Sequence, residues 1–401
     1  MKKQKEIVFL IKVMSGGGAE RVVSLLSKAV AEQGFNTTLI LTHQSKKDAL
    51  LSDLIPQIKV ISLPDEIENA ESSSFMPTLI MLFARLVGKL SFLGKKAEYK
   101  SSVLKYLSRN YIEVSYLKKY FKAHKYASVV AFLYDSIFMS LLAKGKNNRL
   151  IISERGDPRQ SVNSQTTMAF LKNECQKADG FVFQSPDAQK WYQENTSVKG
   201  TVIFNPIKSD LPQLYNGERQ KKIVNFCRVS AQKNLLMLVD AFEMFNKHFP
   251  EHELFIYGDP VGNDAEDYIE SVEEKIDRAS CKDKIFLLPS RRDIQDEIKD
   301  YEMFVSSSDF EGMSNSMLEA MAMGLPVVCT DCPAGGARAV INDGENGLLV
   351  PVGDSEKLYL AMKRVVEDKE LSQKLSRNAV LVRETQSLEK IIEKWMEIID
   401  G

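Results

Sequence analysis

Glu311 and Glu319 stand eight residues apart on either side of a helix start. Upstream, Arg228 and Lys233 occupy a loop that runs into another helix. Carboxylates so placed can accept hydrogen bonds from the hydroxyl groups of a polar ligand. Fixed cations beside a helix N-terminus suit a diphosphate, because the helix start offers unpaired N–H groups and the positive end of its dipole. A lone helix Glu is ordinarily solvated. Here Leu318, Ala320, Met321, Ala322 and Met323 make the helix apolar nearly all round, so Glu319 is buried and needs a polar partner. Glu311 could merely favour the helix dipole, and a basic pair in a loop could merely face water. Cys329 and Cys332 form one Cys-x-x-Cys, with no second pair or histidine set to complete a metal site.

The elements that must carry these residues are readable as apolar runs and turn signals. A strand, Met303 to Val305, feeds a polar turn, Ser306 to Asp309. The helix Asn315–Ala322 follows, is closed by Gly324 and Pro326, and leads into a buried strand at Val327. Arg228 and Lys233 lie between a strand, Lys222–Cys227, and a helix over Leu235–Phe249. Leu254–Tyr257 and Ile285–Leu288 are further strands, and helices run from about Asp354 onward. The first half repeats the theme. Glu6–Val13 is a strand, Ser15-Gly16-Gly17-Gly18 a turn, Ala19–Gln33 an amphipathic helix and Asn36–Thr42 a strand. That is the opening of a Rossmann-like unit. A dinucleotide reading fails, because Arg21 stands where a third glycine belongs, and His43 and Gln44 stand where an acid should meet a ribose. Tyr126–Leu133, Leu150–Ser153 and Phe181–Phe183 are further strands. Glu154-Arg155-Gly156-Asp157-Pro158 leaves a strand at its C-terminal end, where open α/β sheets bind ligands.

Composition sets limits. A chain of 401 residues suggests two or three domains, and 44% hydrophobic with 27% charged residues is ordinary for a globular protein. No apolar run is long enough to span a membrane. Lys12 breaks the first apolar run too early for a signal peptide, and five scattered cysteines suggest a reduced, cytoplasmic chain. Residues 1–205 hold 29 Lys+Arg against 18 Asp+Glu, and residues 206–401 hold 24 against 36. Opposed halves suggest different partners. No nucleic-acid motif accompanies the basic half. Residues 65–74 read as a surface loop. Residues 75–126 carry 11 Lys+Arg, among them Lys95, Lys96, Lys118 and Lys119, interleaved with apolar and aromatic residues on helices over about 76–93 and 97–123. That pattern suits an anionic membrane surface, or else a solvated basic face.

Glu311-Gly312 with Glu319, followed by Ala-Met-Ala-Met-Gly-Leu-Pro-Val-Val, resembles the signature of retaining GT-B glycosyltransferases of family 4. The resemblance extends over essentially the whole chain. It implies an α/β fold of the GT-B kind, with two Rossmann-like domains facing across a cleft and a C-terminal helix crossing back to the first. Residues 1–205 would bind the acceptor, 206–380 the nucleotide sugar, and 381–401 would form the returning helix. By the same resemblance Glu311 meets the donor sugar, and Gly312, Met313, Ser314 and Asn315 offer it backbone amides. Glu319 takes the ribose, Arg228 and Lys233 the diphosphate, and Pro289, Ser290 and Arg291 the nucleobase. Gly17 and Gly18 face the donor phosphates and the acceptor. Glu154 and Arg155 resemble a Ser-Glu-Arg-x-x-Pro subgroup and are acceptor-side candidates. Many relatives carry a histidine near this place; His43, His124, His248 and His252 do not fill that position. The chain contains no Asp-x-Asp pair, so no metal and no cofactor is expected. The expected activity is transfer of a hexose or N-acetylhexosamine from a UDP-sugar to a lipid-linked saccharide, at the inner face of the membrane. A GT-B sugar-nucleotide epimerase or phosphorylase, and a non-catalytic nucleotide-sugar-binding subunit, are the competing readings.

Overall fold

A computed structural model describes residues 5–52, 54–68, 76–89, 95–162, 164–262 and 265–401. The chain divides into two compact units. One comprises Met1–Gln184, Ala188–Ile203 and Ile392–Gly401, and the other Ser185–Asp187 and Phe204–Ile391.

The first unit is built on strands β1 (Glu6–Ile11), β2 (Asn36–Leu41), β3 (Lys59–Ser62), β4 (Ser128–Phe132), β5 (Arg149–Ser153), β6 (Gly180–Phe183) and β7 (Thr201–Val202). All pair in parallel, in the order β3-β2-β1-β4-β5-β6-β7. Strands of a parallel sheet covered on both faces must be apolar on both, which is why Ile7 to Ile11 are all fully buried. The last residues of the chain belong to this unit. Trp395 packs on Phe132 at 5.7 Å between ring centroids, and Lys5 pairs with Asp400 at 2.7 Å.

The second unit holds β8 (Gln220–Phe226), β9 (Glu253–Tyr257), β10 (Ile285–Leu288), β11 (Tyr301–Ser306), β12 (Val327–Thr330) and β13 (Leu348–Val350). The order is β10-β9-β8-β11-β12-β13, again parallel. Side chains alternate between the two faces. Ile223, Met303, Val305 and Val328 enter a core with Leu238, Phe242 and Leu254. Val224, Phe304 and Val327 enter the opposite core with Met317, Leu318 and Met321. In each unit the order reverses beside the first strand, and the loops after the first and fourth strands flank that crevice.

Two local expectations change. Residues 65–68 are not loop: they lie in a helix, Leu63–Glu68, started by Pro64 in its first turn and by Ser62 Oγ, which accepts the Asp65 N–H at 3.1 Å. Residues 69–75 lie outside the described residues. The two helices expected over 76–123 are three, Met76–Lys89, Lys95–Arg109 and Tyr111–Ala123. The second stretch breaks at Asn110, which leaves helical geometry (φ −116°, ψ 27°) while its side-chain amide joins its own N–H on the Tyr106 carbonyl, at 2.9 and 3.1 Å. Among the basic residues of this region, Lys118 and Lys119 are exposed; the side chains of Lys95 and Lys96 lie outside the described residues.

Candidate functional site

The loops after β8 and β11 meet at the crevice of the second unit. Asn234 adopts a left-handed backbone (φ +44°) at the start of the helix Leu235–Asn246. Its Oδ1 accepts the Met237 N–H at 3.2 Å and its Nδ2 donates to Asp309 at 2.7 Å. Three more bonds sew the loops together. The Asp309 N–H donates to the Gln232 carbonyl at 3.0 Å. Gln232 Nε2 donates to the Phe310 carbonyl at 2.8 Å, and Ser307 Oγ to the Lys233 carbonyl at 2.9 Å. This lacing sets the Lys233 ammonium against the Glu311 carboxylate, with the two side chains only 11% and 22% exposed. Burial alone would pull the Lys233 pKa down; the adjacent Glu311 carboxylate more than reverses this, and the net shift is upward. Lys233 is therefore a fixed, charged cation. Arg228 is exposed at the start of the loop after β8 and makes no ion pair among the described residues.

The segment 312–315 then enters the helix Asn315–Ala322. Ser314 caps it, accepting the Met317 N–H at 3.3 Å. Asn205 holds the segment from the side, donating to the Met313 carbonyl at 3.1 Å and to Asn315 Oδ1 at 2.7 Å. Gly336 backs it so closely that a Cβ there would lie 1.5 Å from the Gly312 carbonyl oxygen. Glu311, Ser314 and Met317 line one small pocket with Ser306, Ser308, Cys329, Thr330 and Cys332. The two cysteines are free and buried, and burial pushes both thiols up. Among the described residues no cluster of metal-ligating side chains forms around them or elsewhere.

Glu319 is buried, with 2% exposure, and Gln295 donates to it at 2.7 Å. Beyond β10, Ser290 is pinned to Asp259: its N–H donates to Oδ1 at 3.1 Å and its hydroxyl to Oδ2. Arg291 turns to Glu297 and, at 3.5 Å, to Asp293. Pro289 precedes them at the strand exit. Arg228, Lys233, Glu311 and the 312–315 segment are thus brought together, with Glu319 about one turn into the helix.

In the first unit the glycine loop is closed on itself. Gly16 has φ +92°, and Glu20 Oε2 accepts the N–H of Ser15 at 2.6 Å and of Gly17 at 2.7 Å. The loop's own carboxylate occupies the Gly17 amide, while Gly18 begins the helix Gly18–Glu32. At the crevice beside β1, Lys12 pairs with Asp135 at 2.8 Å, and Leu133 is held at φ +65°, ψ 156°, a strained conformation for a side chain of this kind. Glu154 is 2% exposed. Its Oε1 accepts the N–H of Arg155 at 3.0 Å and of Gly156 at 2.8 Å, while Oε2 has no partner. Burial raises its pKa to about 7. Arg155 turns inward, donating to the Ile203 carbonyl at 2.9 Å and lying 5.5 Å from the Trp395 ring centroid. Burial brings its pKa down to about 9. His124, stacked on Tyr120, is held by Glu6 at 2.5 Å, and His252 is buried beside Phe245 and Phe249.

Sequence reasoning missed Gln232, Asn234, Asn205, Gln295 and Glu20. Only Asn234 carried a signal, an Asn placed just before an apolar helix.

Comparison with known proteins bears on this arrangement. Residues 220–368 match the family model of the glycosyl transferases group 1. The chain is 32% identical over 199 residues to the poly(glycerol-phosphate) alpha-glucosyltransferase of Bacillus subtilis (strain 168), a stretch that is 49% of this chain and only 28% of that protein. It is 25% identical over 299 residues to the N-acetylgalactosamine-N,N'-diacetylbacillosaminyl-diphospho-undecaprenol 4-alpha-N-acetylgalactosaminyltransferase of Campylobacter jejuni, covering 71% of this chain and 78% of that one. Its fold matches the crystal structure of Anabaena HepE in complex with UDP and glucose with a TM-score of 0.76 at 19% identity, over 99% of this chain and 100% of that one. The likeness to solved structures shows a GT-B fold, and residues 220–368 are what the chain shares with the group 1 glycosyl transferases.

Proposed function

We propose that the protein is a retaining, metal-independent glycosyltransferase of family 4. It would move a hexose or N-acetylhexosamine from a UDP-sugar to a lipid-linked saccharide at the inner face of the membrane, in cell-surface polysaccharide or glycolipid synthesis. The observation that carries the reading is the Lys233–Glu311 pair at the crevice of the second unit, with Arg228 beside it and a capped helix start behind it. Support comes also from relatives and neighbours whose names specify glucosyl and N-acetylgalactosaminyl transfer, a diphospho-undecaprenol acceptor, and bound UDP.

Chemically, the sugar–phosphate bond breaks with the electron pair passing to the diphosphate. Lys233, Arg228 and the amides of 312–315 take up that charge, the work a metal ion does in other designs. The acceptor hydroxyl enters on the face the diphosphate leaves, and its proton passes to a diphosphate oxygen. Glu311 orients the sugar hydroxyls from its fixed place beside Lys233 and forms no covalent bond. Glu319, held by Gln295, receives the ribose.

Incubation of the purified protein with UDP-glucose, UDP-GlcNAc or UDP-GalNAc and a diphospho-polyprenol saccharide, with and without EDTA, tests the reading. The product should carry an α-linkage, formed with chelator present. A β-linked product removes retention. Activity abolished by EDTA and restored by Mg²⁺ or Mn²⁺ removes metal independence. Sugar-nucleotide conversion without any acceptor would favour an epimerase.

A further inference from the structure

We infer that the helix Met76–Lys89 lies flat in the surface of an anionic lipid bilayer, with Leu79, Leu82, Phe83 and Leu86 inserted among the acyl chains. The inference rests on the proposal that the acceptor is lipid-linked, and it names the element that enters the lipid. Those four side chains are 47%, 54%, 57% and 57% exposed. They recur at i, i+3, i+4 and i+7 and so share one face. The other side of the helix is also apolar. Ile80, Met81 and Val87 are half-buried there, and Ser108 of the helix Lys95–Arg109 donates to the Met81 sulfur at 3.8 Å. That second helix is fixed to the body of its unit, Tyr99 donating to Glu174 at 2.7 Å and Tyr106 to the Asp135 carbonyl at 3.2 Å. A helix apolar on both sides is therefore covered on one. A contiguous apolar stripe in water marks a surface built to be covered.

Charge selects the occupant. Arg85 is exposed on the same helix, and Lys100, Lys105 and Arg109 are exposed on its neighbour. Between residues 76 and 112 the sequence holds a single acid, Glu98. A second copy of the chain docked face to face would set like charges together, whereas anionic headgroups neutralise them while the chains below take the leucines. Length decides orientation. The helix has 14 residues. At about 1.5 Å per residue it falls short of the roughly 30 Å hydrocarbon core. No described helix is long and apolar enough to cross a membrane. The segment therefore lies in the interface plane.

A Phe83→Trp variant of the full chain tests this, read as the difference from wild type because Trp191 and Trp395 emit in both. With vesicles of phosphatidylglycerol and phosphatidylcholine, emission at position 83 should shift to the blue and be quenched by chain-brominated lipid. Leu82→Ser with Phe83→Ser should lower vesicle partition at least about tenfold, at low and at high salt, since two large apolar side chains leave the lipid. UDP-sugar affinity should not change. If the protein binds vesicles while the introduced indole stays in water, insertion is wrong and headgroup charge alone holds it, with the membrane reading intact. If it ignores vesicles and glycosylates only soluble acceptors, both readings fall. A blue shift that grows with protein concentration in the absence of lipid would assign the stripe to a second copy. Should the double variant misfold, the fluorescence of the Phe83→Trp variant still decides.

Discussion

The Lys233 ammonium rests on the Glu311 carboxylate, although 78 residues separate them in the chain. Each holds the other at a crevice from which water is largely displaced, so neither can be removed without consequence for its partner. Lys233→Ala and Arg228→Ala should both weaken UDP-sugar binding, each by roughly 1.5–3 kcal/mol if the lost bond is charge-assisted. The Lys233 variant should fall at the upper end, because it also leaves Glu311 without its cation, whereas Arg228 is screened by solvent. Isothermal titration gives the affinities. Glu311→Gln should keep the fold and lower kcat; full turnover by that variant would take the carboxylate out of the chemistry.

Glu319 is buried in an apolar helix, and the Gln295 amide is what a single substitution can take from it. Gln295→Met should lower stability by about 1–3 kcal/mol and weaken nucleotide binding together, since a buried carboxylate then loses a donor. Urea titration with and without UDP separates the two effects. A variant as stable as wild type, with unchanged UDP affinity, would show that Gln295 contributes nothing.

Gly336→Ala places a methyl group against the Gly312 backbone oxygen, which no side-chain rotation can relieve. The 312–315 segment must shift. Transfer should drop more than tenfold while the thermal midpoint moves by only a few degrees, the cost of a loop displacement of about 1–2 kcal/mol. An active Gly336→Ala enzyme would mean that this backing is unnecessary.

Glu154 gives a pH dependence of stability. Burial raises its pKa from the ordinary carboxylate range to about 7. Between those values the folded protein binds the proton and the unfolded chain does not. Its contribution is therefore fully present below about pH 4.5 and lost as pH rises through about 7, a change on the order of 3 kcal/mol. Glu154→Gln should lack it. The difference in unfolding free energy between the two proteins, followed from pH 4 to 8, isolates the effect. His252, whose pKa burial lowers, changes stability in the opposite sense on acidification, but it is common to both and cancels. A flat difference curve would mean that Glu154 is solvated.

Much of this was legible before any coordinates. Strands buried on both faces announce themselves, as Ile223–Phe226 and Tyr301–Val305 do, and the end of the helix Asn315–Ala322 follows from Gly324 and Pro326, while its Ser314 cap does not. The short strand Lys59–Ser62 and the strand Leu348–Val350 did not stand out, being three or four residues each. Side-chain destinations were harder. Arg155 reads as a ligand-facing cation at a strand exit, yet its aliphatic stem and guanidinium find Trp395 and Phe132, aromatic rings supplied by other parts of the chain. Gly17 is expected to face the donor phosphates, yet Glu20, three residues on, takes its N–H. Gln232 looks like an ordinary loop residue and Asn234 signals only a helix start; the parallel order that sets β8 beside β11 gives them Phe310 and Asp309 to hold.

The contact between Gly312 and Gly336 also bears on how such a chain can diversify. Backbone pressed on backbone leaves no slack for an inserted or deleted residue in either loop. If the proposed activity holds, a lineage that keeps this contact can change its sugar preference only by exchanging side chains that line the pocket, such as Ser314 or Met317, and not by remodelling the loop that presents them. Donor choice in its descendants should therefore drift by point substitution, while loop length stays constant.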